Sequence, residues 1–93
     1  MISRTTRSFW KLYDALPTDV RRGVGRAYVV WRRDPGHPSL RFKCVSERHA
    51  VFSVRVGLHW RAVGHRENDG NEDTLTWFWG GSHADYDQMI ARL

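Results

Sequence analysis

The sequence predicts an α+β domain, an N-terminal αα-hairpin packed on a four-stranded antiparallel sheet. Three observations carry this. Apolar residues recur at helical spacing up to Trp31, and at a period of two after Pro38. Between the two patterns lies Asp34-Pro35-Gly36-His37-Pro38, a segment dense in turn residues. At 93 residues the chain has the length of a single domain, residues 1–93.

Phe9, Leu12, Tyr13 and Leu16 mark the first helix, with Thr5 or Thr6 as its cap and Pro17 as its stop. Thr18 is expected to cap the second, whose apolar stripe is Val20, Val24, Ala27, Tyr28 and Trp31. Gly23 and Gly25 weaken that helix by roughly 1 kcal/mol each relative to Ala, or else permit close helix contact. The short linker makes the pair a hairpin. After the turn segment, Leu40, Phe42 and Cys44 alternate with Arg41, Lys43 and Val45. Phe52, Val54 and Val56 alternate with Ser53 and Arg55. Trp60, Ala62 and Gly64 alternate with Arg61, Val63 and His65. Leu75, Trp77 and Trp79 mark a fourth strand, ended by Gly80-Gly81. Residues 82–93 form a short tail or helix. With both helices on one face, the other sheet face is expected to be open to solvent or a partner.

The register of the central hairpin decides what that open face carries. A two-residue turn at Gly57-Leu58 would put Arg55 and Arg61 on opposite faces. A three-residue connection, Gly57 to His59, pairs Val56 with Trp60 and sets Arg55 opposite Arg61. Glycine at the first turn position favours the shorter loop. The apolar pattern favours the longer one, because a one-residue slip would bury arginine and expose Trp60, at a cost of several kcal/mol. The longer loop is therefore expected. Like charges directly opposite one another destabilise a sheet, so the pair suggests that an anion sits between them.

Composition agrees with a polyanion partner. The formal charge is +5, and the fifteen basic residues include only two lysines, Lys11 and Lys43. An arginine-rich small domain points first to nucleic acid, since the guanidinium fork grips phosphate bidentately. Cys44 is the single cysteine, which excludes an internal disulfide and reads as a buried small hydrophobe. No metal site and no cofactor are implied, because acids are sparse and no histidine pair has ligand spacing. No run approaches the roughly 18 apolar residues of a membrane span. The segment MISRTTRSFW lacks the apolar core of a signal peptide, so a cytoplasmic protein is expected.

On the expected register the outer face shows Arg41, Lys43, Arg55, Arg61 and His65, and the tail adds His83, Asp85 and Tyr86. Cations, a histidine and a tyrosine suit phosphodiester cleavage of RNA. A base takes the 2′-OH proton, cations hold the charge of the transition state, and an acid protonates the leaving 5′-oxygen. Tyrosine can stack on a base. Bland readings stand beside these. Arg55 and Arg61 could pair with Glu47, Glu67 or the C-terminus. Tyr86 could pack on Trp79. Asp85 reads as structural, three residues after Ser82 in a capping-box pattern. His37 is a turn residue. His49, in the first hairpin loop, is a weaker base candidate than His83, and His59 and His65 are weaker still.

The two N-terminal helices followed by HPSLRFKCV, VFSVRVGLHWRAVG and WFWGGSHADYD resemble the RelE/ParE superfamily of toxins from bacterial type II toxin–antitoxin systems. The resemblance spans Phe9 to Tyr86 and is strongest in the central hairpin with its two arginines. It implies a cytoplasmic toxin held inactive by a cognate antitoxin, acidic or amphipathic, contacting the helix hairpin, the cationic face, or both. The RelE branch cleaves mRNA in the ribosomal A site by 2′-OH attack without a metal. By position, Arg61 looks like that branch's transition-state arginine and Arg55 like its phosphate-binding arginine. Lys43 and Arg41 match its basic first-strand residues, and His83 and Tyr86 its C-terminal catalytic stretch. The branch often carries more than one lysine near the site, a departure here. The ParE branch shares the fold but poisons DNA gyrase without nuclease chemistry. A third reading is an RNA-binding module without activity.

Overall fold

The computed structural model describes residues 1–93. It has three α-helices and a mixed sheet of five strands, in the order β1-β5-β4-β3-β2. The elements are β1 (Ile2–Thr5), α1 (Arg7–Asp14), α2 (Thr18–Arg33), a 3-10 turn (Pro38–Leu40), β2 (Lys43–Ser46), β3 (Val51–Val56), β4 (Trp60–Asn68), β5 (Asp73–Ser82) and α3 (His83–Ala91).

The four-stranded expectation is corrected by β1. This strand pairs parallel to β5, Ile2 with Thr74 through Thr5 with Trp77. The Trp77 indole N–H donates to Ser3 Oγ at 3.2 Å. β2 to β5 form the expected antiparallel meander.

Thr6 caps α1, its hydroxyl accepting from the Phe9 N–H at 3.1 Å. Thr18 does not cap α2. Pro17 occupies that position, and the Thr18 hydroxyl instead accepts from Arg21 Nη2 at 3.2 Å. The helices do not close into a tight hairpin. α1 packs on β5 and α2 on β3. They leave between them an apolar cleft of about 310 Å³, lined among others by Trp10, Tyr13, Val24, Tyr28 and Trp31. An added Cβ at Gly23 would lie 3.6 Å from Val56, an ordinary contact, and Gly25 faces no neighbour within 4 Å, so neither glycine is required by close packing. Tyr28, placed on the buried stripe by its spacing, is 41% exposed and stacks on Trp31.

The sheet is packed on both faces, and this shapes the site. Under α1 and α2 lie Val54, Val56, Ala62, Leu75 and Trp77, with Phe9, Trp31 and Leu40. On the opposite face Val51, Val63 and Tyr86 form a second cluster, joined by Val45, Phe78, Trp79, Met89 and Ile90. The face expected to be open is thus roofed in part by α3. A bulge makes this arrangement possible. Val63 pairs with Trp79 but Gly64 with Trp77, so Phe78 is the extra residue. It turns Trp77 toward the helices and Trp79 toward α3, where simple alternation would have put both on one face.

The first part of the meander also differs from expectation. Leu40 is buried in the 3-10 turn rather than in a strand, and Arg41 follows it in the left-handed region at φ 45°. Cys44 is exposed rather than buried, on β2 at the edge of the sheet. No helix is long and apolar enough to cross a membrane.

Candidate functional site

The β3–β4 hairpin has the three-residue connection Gly57-Leu58-His59. Val56 faces Trp60 and Arg55 faces Arg61. Gly57 takes φ +62°, the left-handed conformation that opens the loop. The two arginines sit side by side on the α3 face of the sheet. Neither forms an ion pair. The three ion pairs of the molecule join His65 to Glu67, Arg66 to Asp73 and His83 to Asp87. Each arginine is instead steadied by its own backbone: Arg55 Nε donates to the Gly57 carbonyl at 2.9 Å, and Arg61 Nη1 to the Trp60 carbonyl at 2.8 Å. Partial burial, then the charge of Arg55 and more weakly that of Arg41, lower the pKa of the Arg61 guanidinium. Tyr86 and Asp87 push the other way. An uncompensated pair of guanidinium groups is a site with unused affinity for an anion.

The rest of the wall comes from β5 and α3. Ser82 caps α3, accepting from the Asp85 N–H at 3.2 Å. Asp85 takes part through its backbone N–H. His83 opens the helix, exposed, with Nδ1 3.2 Å from Asp87 Oδ2 one turn on. Tyr86 lies one turn in and is 8% exposed. Its hydroxyl donates to Ser53 Oγ at 3.2 Å, and the Arg61 guanidinium stands 6.0 Å from its ring centroid. Trp79 packs beside Tyr86, with centroids 6.4 Å apart. The indole also lies over Gly81, the residue opposite Arg61, so closely that a Cβ there would fall 2.8 Å from it.

Of the residues singled out from sequence, Arg55, Arg61, His83 and Tyr86 converge on one patch. Arg41 is close enough to act on Arg61 through its charge. Lys43 pairs with Ser53, the partner of the Tyr86 hydroxyl, and is exposed. His65 is not brought in. It lies four residues along β4 from Arg61, about 13 Å at strand spacing, beyond the fully buried Val63, and its ring faces Glu67 at 3.4 Å. His49 lies in the β2–β3 turn, at the other end of β3. Two contributors, Asp87 and Ser53, were missed, and a third, His59, was weighed only as a weak base candidate. Asp87 was signalled by its i,i+4 spacing from His83. Ser53 reads from sequence as a solvent-facing strand residue, yet it is 2% exposed because α3 lands on it. The His59 carbonyl accepts from the His83 N–H at 2.7 Å, which ties the hairpin loop to the start of α3.

No protein-family model and no curated protein matches the sequence. Solved structures do match the fold. A YoeB/ParE toxin from Agrobacterium tumefaciens superposes with a TM-score of 0.66 at 17% identity, covering 89% of this chain and 99% of that one. The RelBE2 toxin–antitoxin complex from Mycobacterium tuberculosis gives 0.67 at 18% identity, covering 88% and 96%. The RelB–RelE antitoxin–toxin complex from Methanococcus jannaschii gives 0.63 at 14%, covering 92% and 96%. The chain therefore has the RelE/ParE toxin fold over nearly its whole length.

Proposed function

We propose that this protein, as one domain of 93 residues, is the toxin of a type II toxin–antitoxin pair and a ribosome-dependent mRNA endonuclease. The observation that carries the reading is the Arg55–Arg61 pair, adjacent, without an acidic partner, and walled by His83 and Tyr86. The two guanidinium groups grip the scissile phosphate, and Arg61 holds the charge that develops on its oxygens. His83, its Nδ1 against Asp87, presents Nε2 to the RNA as a proton acceptor. Cleavage needs no metal ion. The 2′-oxygen attacks the phosphorus, the bond to the 5′-oxygen breaks, and a 2′,3′-cyclic phosphate and a 5′-hydroxyl remain.

Tyr86 serves this site from below. Its ring is buried, so its part is to hold α3 and Arg61 in place. Lys43 and Arg41 extend the cationic surface toward the RNA backbone. The partner that silences the protein in the cytoplasm is a cognate antitoxin, as in the RelBE2 and RelB–RelE complexes that share its fold.

Primer extension on mRNA after induced expression tests this. Wild type should give ribosome-phased cuts, and Arg61→Ala should give none. Growth arrest with gyrase–DNA breaks and intact mRNA would assign the protein to the gyrase-poisoning branch of the same fold.

A further inference from the structure

The strand pair that carries the arginines also brings together two histidines. Trp60 pairs with Ser82, and the chain continues past that pair with the His83 N–H donating to the His59 carbonyl at 2.7 Å. One histidine thus ends the β3–β4 loop and the other opens α3, and both are exposed. The His59 ring enters none of the molecule's ion pairs. Each histidine is within two residues of Arg61 or of its partner Gly81.

We propose that His59 is a catalytic residue of this site, the general acid that completes a two-histidine pair with His83. The inference rests on the nuclease reading above. In-line transesterification needs proton transfer on opposite sides of one phosphorus, at the entering 2′-oxygen and the departing 5′-oxygen. Two imidazoles rooted side by side meet that need, with the phosphate held between them by Arg55 and Arg61.

The division of labour follows from Asp87. Its carboxylate faces His83 Nδ1, which fixes the proton there and leaves Nε2 as the acceptor. His59 has no carboxylate paired with it to impose that tautomer, so the other role, that of proton donor, falls to it. His83 Nε2 takes the 2′-OH proton as the bond from O2′ to phosphorus forms. His59 gives its proton to O5′ as the bond from phosphorus to O5′ breaks. The net proton count is unchanged, and each histidine ends in the state in which the other began. The charged and titratable groups acting on Arg61, two residues from His59, are Arg55 of β3, Arg41 before β2, and Tyr86 and Asp87 of α3, and Asp85 shares the first turn of α3 with His83.

The test is single-turnover cleavage of mRNA on purified ribosomes between pH 5 and 9, with wild type, His59→Ala, His59→Gln and His83→Ala. Wild type should show a bell-shaped profile. His59→Ala should lose about 10²- to 10⁴-fold in the cleavage rate with little change in apparent affinity. It should also lose the alkaline limb and recover activity with added imidazole. His83→Ala should lose the acidic limb instead. His59→Gln, which keeps size and polarity, should be as slow as His59→Ala. A fully active His59→Gln with an intact bell would overturn the assignment while leaving the nuclease reading standing. A wild type that cuts no mRNA would overturn both.

Discussion

The hydrogen bond between Tyr86 and Ser53 ties α3 to the centre of the sheet, and its removal has a predictable signature. Both residues are buried, at 8% and 2% exposure, and the two hydroxyls are 3.2 Å apart. Tyr86→Phe deletes one hydroxyl and strands the other in a site closed to water. Ser53→Ala does the converse. Leaving one buried hydroxyl unpaired costs about 1–3 kcal/mol, while replacing both partners by apolar groups is nearly neutral. Each single variant should therefore lose about 1–2 kcal/mol, a fall in Tm of roughly 4–8 °C per kcal/mol for a domain of this size. The double variant should be no worse than either single one, giving a coupling energy of about 1 kcal/mol or more. Urea denaturation of the four proteins reads this directly. Strict additivity would refute the claim that the two hydroxyls serve each other. The same four proteins report on function: the Arg61 guanidinium stands 6.0 Å from the centroid of the Tyr86 ring, which Tyr86→Phe keeps, so Tyr86→Phe should cleave RNA at close to the wild-type rate.

Further predictions follow from the hairpin loop and the far end of the sheet. Gly57→Ala places a side chain at φ +62°, where nothing lies within 4 Å to clash, so the loss should be the left-handed strain alone, about 1 kcal/mol by chemical denaturation. Arg66 clamps Asp73 through two hydrogen bonds, 2.9 and 2.6 Å, and this holds the Asp73 carboxyl below its ordinary value. A carboxyl whose pKa is depressed by folding stabilises the protein above its unfolded value, near 3.9, and loses that contribution as pH falls through the folded value. Wild type should therefore lose stability below about pH 4 more steeply than Asp73→Asn, as measured by thermal melts from pH 2 to 7.

How much of this was legible from the residues differs element by element. The central hairpin was legible because only the three-residue loop keeps Phe52, Val54, Val56, Trp60 and Ala62 on one face, and that constraint outweighs the turn preference of Gly57. β1 was not legible. Ile-Ser-Arg-Thr has no apolar alternation, and its pairing is with residues 74–77 at the other end of the chain. The bulge at Phe78 was hidden inside Trp77-Phe78-Trp79, three aromatics in a row that fit either face. The covering by α3 had a signal in Tyr86, Met89 and Ile90, spaced to share one helix face. Once that helix lands on the sheet, Ser53 and Tyr86 become interior. The arginine pair kept the place its register gave it. His65 did not join it, because strand alternation fixes the face a residue occupies but not its distance from the site.

In the proposed cleavage, Arg61 is the group that holds charge on the scissile phosphate. The most direct measurement is cleavage of a defined mRNA on purified ribosomes by wild type and Arg61→Ala, each first shown to be folded by its thermal melt. Removing one such donor should slow cleavage about 10²- to 10³-fold with the melt little changed, because Arg61 makes no ion pair in the folded protein. Equal cleavage rates for the two proteins would contradict the account.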